Sequence, residues 1–416
     1  MMQLTNDQED ALLTIKSFLL DDSRKEMLLT GNSGSGKSTL VRHLINHLPE
    51  FLKPAALLKG YEVRLYPYLS ATTNEAATVL SNASNMEAKT VHSLFKFRFQ
   101  KNYRTGELNL VTKDAKYYSS ALIVVDEASM CSTELRESIL EHTCNHSKIL
   151  YVGDSEQLET IKAECDIFSS GLTVANLTTN VRQSGNEIAE LGLRFRDAVL
   201  TGVLPKLTYQ DSEYIKYISG EEFNKLVDDK FSKENYDSSS KILAYSNSRV
   251  IEYNNHVRQL QNGCDGYVDG EILTTNNTIT SGENVIAKNN ENVLITDIER
   301  SSMLGMDGYK LRVCGDNNSC YGFIPDDPKH AKKEINNLAK EKRWGEMFDL
   351  QDKILDLRPR FASTVHKAQG GTLEEVFIDL NDISSIRSLS AKKKARALYV
   401  GITRAKSKVY LYGELR

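Results

Sequence analysis

Residues Gly31-Asn32-Ser33-Gly34-Ser35-Gly36-Lys37-Ser38 have the spacing G-x-x-x-x-G-K-[ST]. Glycines so placed let backbone N–H groups converge on an anion, and a helix start behind them adds its positive end. Lys37 supplies a point charge for β- and γ-phosphates, and Ser38 a hydroxyl for Mg²⁺. An apolar run, Met27-Leu28-Leu29, precedes the pattern, and a helix-like stretch from Thr39 follows it. Strand, loop and helix in that order are the context the pattern requires. The expected ligand is a nucleoside triphosphate with Mg²⁺, cradled by Gly34, Ser35, Gly36, Lys37, Ser38 and Thr39.

Leu122-Ile123-Val124-Val125 runs into two carboxylates, Asp126 and Glu127. Asp126 is expected to hold Mg²⁺ through water, and Glu127 to orient and deprotonate an attacking water. An acidic strand end seen alone is usually a solvated turn. Paired with an upstream phosphate loop, it reads as catalytic. Tyr151-Val152-Gly153-Asp154 repeats the pattern and places Gln157 to report on the γ-phosphate. Leu177–Arg182 and Leu398–Arg404 each end in an arginine. An arginine beside a transferring phosphoryl group adds ~10³–10⁵ in rate, whereas most arginines end in surface ion pairs. In Phe361–Gly371 a strand-like start leads to polar residues and a double glycine. There Thr364 and His366 can donate to phosphodiester oxygens, and Gln369-Gly370 can approach a nucleotide closely.

The elements that must position these residues alternate between strand-like and helix-like segments, which predicts an α/β fold with a parallel sheet. Strand candidates are Met27–Thr30, Val63–Ser70, Leu122–Val125 and Ile149–Val152. Ligands in such sheets sit outside the carboxyl ends of the strands, where these polar residues fall. A different texture occupies about 92–118, where Phe95, Phe97, Phe99 and Tyr103 alternate with Lys96, Arg98, Lys101 and Arg104 around a Thr105-Gly106 turn. It reads as an inserted basic, aromatic β-hairpin, able to stack bases; packing on its own domain is the plainer reading. A second α/β region starts near Ile242, is interrupted by a Gly- and Asn-rich β-like insertion at about 265–358, and resumes near Phe361. The basic stretch Lys329–Arg343 suits a solvated helix face as well as a polyanion. Lys392, Lys393, Lys394 and Arg396 lean toward strand contact, and Trp344 reads as a packing anchor.

A chain of 416 residues is expected to form at least two domains. Hydrophobic content of 40% and charged content of 26% fit a globular protein. No apolar run approaches the roughly 20 residues that span a bilayer, and the first residues carry no secretion-signal pattern. The 6 cysteines are scattered with no C-x-x-C pair, so an intracellular setting with inert thiols is expected. The net charge of −4 counts mildly against a polyanion partner and confines any such site to a local groove.

Taken together, the motifs resemble superfamily 1 helicases. They run from Leu4-Thr5-x-x-Gln8 through the phosphate loop, Thr72-Thr73-Asn74, Thr90-Val91-His92, Asp126-Glu127, Gly153-Asp154-x-x-Gln157 and Arg182. The runs Thr364–Gly370 and Tyr399–Ala405 close the series and point to the RecD-like branch. The resemblance implies two RecA-like parallel-sheet domains, 1–182 and 183–416, with an inserted β-hairpin in the first and a small β-barrel-like insertion in the second. It implies that Gln8 contacts adenine, that Gln157 couples the γ-phosphate to the strand, and that Arg182 and Arg404 reach the γ-phosphate across a cleft. Thr72, Asn74, His92, Thr364 and His366 would line a single-strand channel. The hairpin, through Phe97, Phe99 or Tyr103, would act as a wedge. The implied activity is ATP- and Mg²⁺-dependent unwinding of DNA with 5′→3′ movement on a single strand. A functional monomer acting on single-stranded and forked DNA, alongside replication or recombination proteins, is expected. An RNA-directed relative and a nucleoprotein remodeller that leaves duplexes intact are the alternatives.

Overall fold

The computed structural model describes residues 4–157, 167–179, 187–208, 210–264, 266–282 and 284–415. Contacts divide the chain into two compact units: Met1–Arg98 with Thr112–Tyr217 and Val365–Arg416, and Phe99–Val111 with Ile218–Thr364.

The first unit is built on a parallel sheet. Its strand order is Ala88–Thr90, Tyr66–Ala71, Ala121–Asp126, Lys148–Gly153, Glu26–Gly31 and Thr173–Leu177. Leu122, Ile123, Val124 and Val125 have no exposed surface. A strand covered on both faces has no need of polar alternation, which is why this one is a continuous β-branched and leucine run. The four strands expected from the sequence are present, each with shifted ends. Ala88–Thr90 and Thr173–Leu177 join them at the two edges. Parallel register aligns the carboxyl ends: Ala71 pairs with Thr90 on one side and with Asp126 on the other. Thr72, His92 and Glu127 therefore leave the sheet at one edge.

Two more strands of this unit, Leu373–Asp379 and Ala405–Tyr412, pair in parallel. The helix Ala391–Ile402 runs between them, capped by the Ser390 hydroxyl, which accepts the Lys393 amide. From Lys394 on the helix is buried nearly all round, with Ala395, Leu398, Tyr399 and Val400 among the covered residues.

In the second unit, Ser240–Ala244 pairs in parallel with Ala362–Thr364, so Thr364 lies opposite Ala244. The helix Asn247–Asn262 locks this pair, for Asn254 donates to the Ala362 carbonyl and accepts its amide. The expected insertion is a five-stranded antiparallel sheet, ordered Ser319–Pro325, Met306–Cys314, Asn292–Met303, Ile272–Thr275 and Leu357–Pro359. Leu273, Ile295, Leu311 and Val313 form its core. Two helices, Pro328–Lys340 and Trp344–Lys353, follow the last long strand.

The hairpin is shorter than expected, with strands Arg98–Lys101 and Leu108–Val111. Residues Val91–Phe95 before it are a short helix. The tip packs within the second unit: Gly106 abuts the Trp344 ring, Tyr103 meets Phe348 edge-on at 5.3 Å, and Lys101 pairs with Asp352 at 2.5 Å. Trp344 is thus the expected packing anchor. Phe97 is corrected. It is 5% exposed, stacked on Phe95 at 5.1 Å and set edge-on to His142, so it is a core side chain rather than a base platform or wedge. Phe99, two residues further along the strand, is 61% exposed. Phe97 precedes the strand and packs on Phe95, the last residue of the helix ahead of the hairpin, and on His142, whereas Phe99 lies within the strand Arg98–Lys101.

Candidate functional site

The phosphate loop closes between the strand Glu26–Gly31 and the helix Lys37–Asn46. Gly34 and Gly36 have φ of 81° and 86°, a left-handed conformation that a side chain resists. The turn they make brings Lys37 back over the loop, where its ammonium donates to the carbonyls of Gly31 at 2.7 Å and Asn32 at 2.9 Å. Burial lowers the Lys37 pKa, while Asp154, Asp126 and Glu127 oppose that loss of charge.

One cavity of about 340 Å³ gathers most of the expected site: Gln8, Gly34, Gly36, Lys37, Ser38, Thr39, Asp126, Glu127, Gln157, Gly370 and Arg404. These residues span the chain from its first helix to Arg404, just ahead of the strand Ala405–Tyr412, and all belong to the first unit. Ser35 is the exception among the loop residues. Its hydroxyl is buried and has no partner, and its amide donates to the Asn32 carbonyl. Gln8 is held at both ends: its Oε1 accepts the Thr5 amide and its Nε2 donates to the Ser35 carbonyl at 3.2 Å. It thereby ties the first helix to the loop.

Asp126 and Glu127 stand at the end of their strand, with Glu127 at φ 53°, an uncommon conformation for a side-chain-bearing residue. The Asp126 carboxyl accepts the Glu127 amide at 2.8 Å. Burial, with the adjoining Glu127 charge, raises its pKa to about 7. A carboxyl pair crowded in this way favours a cation. With Ser38 and Lys37 in the same cavity, the donor set fits a triphosphate carrying a divalent ion.

Arg404 is 5% exposed, which removes the surface reading. Its Nε and Nη1 donate to the carbonyls of Val400 and Gly371, and Nη2 lies 3.4 Å from the Ser33 hydroxyl. Arg182, the other candidate arginine, lies outside the described residues.

The structure adds contacts that sequence reasoning missed. Gln369 was expected near a nucleotide. Its Nε2 donates to Ser129 Oγ at 3.2 Å, Gln157 Oε1 at 3.3 Å and Glu127 Oε2 at 3.4 Å. The Tyr399 hydroxyl reaches both Asp154 and the Ser33 amide. In the sequence Tyr399 stood only as the first residue of the Tyr399–Ala405 run, with no role of its own.

Of the candidate strand-contacting residues, Thr72 donates to the Glu127 carbonyl at 3.1 Å and is thus tied to the catalytic strand end. Asn74 opens the helix Asn74–Ser84, whose cap is the Thr73 hydroxyl. His92 and His366 are half-buried, and burial lowers the pKa of both. Thr364 is buried and belongs to the second unit, as does Phe99. In the basic cluster, Lys394 is corrected: its ammonium is buried and donates to the Ser384 carbonyl, a structural tie. Lys392 and Lys393 remain exposed. Among the described residues, no helix is long and apolar enough to cross a membrane.

The family model described as an AAA domain matches residues 3–216, and that of a UvrD-like helicase C-terminal domain matches 359–412. The chain is 22% identical to the ATP-dependent DNA helicase dda of Enterobacteria phage T4, over 98% of each chain. It is 33% identical to the ATP-dependent RecD2 DNA helicase of Deinococcus radiodurans, over 33% of this chain and 16% of that protein. It spans between 15% and 33% of the length of several curated relatives that it matches in part. A crystal structure of Pif1 helicase from Bacteroides, in complex with ADP-AlF3 and ssDNA, superposes with a TM-score of 0.51 at 15% identity, covering 100% of this chain and 94% of that one. The fold is therefore the expected one of two RecA-like parallel-sheet domains carrying a hairpin and a small β insertion. The chain belongs to the AAA-domain family, and its C-terminal segment matches the UvrD-like helicase C-terminal domain.

Proposed function

We propose that this chain is an ATP-dependent DNA helicase that moves along single-stranded DNA in the 5′→3′ direction. The observation that carries the reading is one cavity holding Lys37, the Asp126–Glu127 pair, Gln157 and Arg404. A phosphate-binding protein needs only the loop. A base, a γ-phosphate reporter and an arginine from a distant segment are what a coupled hydrolase adds.

Bound Mg²⁺-ATP supplies the phosphoryl group whose transfer to water drives the cycle. Ser38 and Asp126 would hold the metal, and the loop amides with Lys37 the phosphates. Glu127 orients water and accepts its proton. Arg404 and Arg182 meet the charge that develops on the γ-phosphate. Gln8 selects the base. Thr72, Asn74 and His92 share a sheet edge with the catalytic carboxylates, so a strand gripped there senses the state of the site. Thr364 and His366 are further candidate strand contacts, and Phe99 rather than Phe97 is the aromatic offered to DNA. Base–aromatic stacking contributes ~1–3 kcal/mol per base without reading sequence. The working lobes are proposed as 1–182 and 183–416, acting as a monomer within the cell, with replication or recombination proteins as partners.

Unwinding assays on forked duplexes bearing 5′ or 3′ tails test the reading. Strand separation only with the 5′ tail, abolished by Lys37→Ala while single-strand binding persists, is expected. Full turnover in Lys37→Ala contradicts the phosphate-loop assignment. Stronger ATPase stimulation by RNA than by DNA transfers the reading to an RNA-directed enzyme. Protein displacement without strand separation transfers it to a remodeller.

A further inference from the structure

The backbone of the phosphate loop is fastened to the C-terminal segment by a phenol. Tyr399 is 1% exposed, within the helix Ala391–Ile402. Its hydroxyl donates to Asp154 Oδ2 at 2.5 Å and accepts the Ser33 amide at 2.9 Å. Burial, then the Asp154 charge, raises its pKa well above the ordinary value, so the proton stays on the oxygen. A phenol has one proton to give, and here that proton has a defined acceptor.

Five residues further on, Arg404 addresses the same loop residue from another side. Its Nη2 lies 3.4 Å from the Ser33 hydroxyl, and its remaining nitrogens are held by the carbonyls of Val400 and Gly371. Ser33 is thus gripped by its backbone through Tyr399 and by its side chain through Arg404. Val400, which fixes the guanidinium, is the residue next to Tyr399. Any shift of the phenol carries the Arg404 acceptor with it.

Resting on the hydrolase reading above, we propose that Tyr399 is a positioning residue for Arg404. Its bridge from Asp154 to Ser33 sets the end of the helix, so that the guanidinium stays aimed at the phosphate loop. The bridge also spans the two places where the γ-phosphate is read: the loop itself and the Asp154–Gln157 turn. Nucleotide binding draws on the loop amides and Lys37, which do not depend on Arg404. Transfer does depend on it, and misplacement of a catalytic group by about 1 Å costs ~10²-fold.

The test is a double-mutant cycle on the full chain: steady-state ATPase with saturating single-stranded DNA for wild type, Tyr399→Phe, Arg404→Ala and the double variant. Phenylalanine keeps the buried ring, and an unchanged Kd for a fluorescent ATP analogue confirms that the cavity is intact. Tyr399→Phe is expected to lower kcat by roughly 10- to 100-fold with KM for ATP within about twofold. In the Arg404→Ala background the same change is expected to have no further effect. Losses that multiply in the double variant overturn the proposal and leave the arginine assignment standing. A raised KM with kcat intact overturns it as well. An unchanged kcat in Arg404→Ala sinks both, since there is then nothing for Tyr399 to position.

Discussion

The amide nitrogen of Gln369 sits 3.3 Å from Gln157 Oε1 and 3.4 Å from Glu127 Oε2, joining the proposed γ-phosphate reporter to the proposed base. Gln369 belongs to the same run as Thr364 and His366, so one short segment reaches both the strand candidates and the catalytic carboxylate. Coupling between two sites requires a physical element that both can bias, and this segment is short enough to be one.

Replacing Gln369 with Ala should therefore slow chemistry more than binding. With Glu127 and Gln157 no longer held together, kcat is expected to fall by ~10- to 100-fold, with KM for ATP nearly unchanged. Steady-state ATPase across a DNA titration measures both. A rise in KM alone would mean that Gln369 touches the nucleotide instead.

The Asp126 carboxyl gives a pH dependence of defined sign. Its pKa is raised from 3.8 to about 7 by burial and by Glu127. Between those values the folded chain holds a proton that the unfolded chain has released, so stability falls as pH rises through this window. The effect is complete above about 7. Asp126→Asn is expected to raise the melting temperature of the nucleotide-free protein at pH 8 and to leave it little altered at pH 4. Melting curves from pH 4 to pH 8 check this, and an equal shift at both ends would refute the assignment. Added Mg²⁺-ATP should stabilise wild type more than the variant.

Phe97 and Phe99 should separate cleanly. Truncating a buried ring to Ala costs ~3–5 kcal/mol, so Phe97→Ala should lower the unfolding free energy by that order. Phe99→Ala should leave stability within about 0.5 kcal/mol and weaken unwinding. Chemical denaturation and fork assays on the same two variants decide it. Equal stability of the two would contradict the core placement of Phe97.

Trp344 offers its own readout, as the chain has 1 tryptophan. Gly106 has φ 75°, and a Cβ there would stand 2.3 Å from the indole ring. Gly106→Ala should force the hairpin tip and the indole apart, shifting the emission of Trp344 to longer wavelength. An unmoved spectrum would show that the two do not meet in solution.

Much of this was legible in the sequence because it depends on local spacing. The phosphate loop needs eight consecutive residues, and the buried strand ending in Asp126-Glu127 announces itself by an unbroken apolar run, Leu122-Ile123-Val124-Val125. The hairpin was visible as a turn between aromatic and basic residues, but its inner boundary was not. Phe95, Phe97 and Phe99 look alike in one dimension, and only the helix Val91–Phe95 and His142 decide which of them is covered.

The residue types at Gly31–Ser38, Asp126, Glu127, Gln157 and Arg404 determined the chemistry, because each reagent is a side chain or a local backbone shape. Tertiary structure alone decided that Gln369 serves Glu127 and Gln157, and that Tyr399 holds Ser33. These are hydrogen bonds of about 3 Å between residues more than 200 positions apart. No local periodicity encodes a partner that only the folding of a parallel sheet brings within reach.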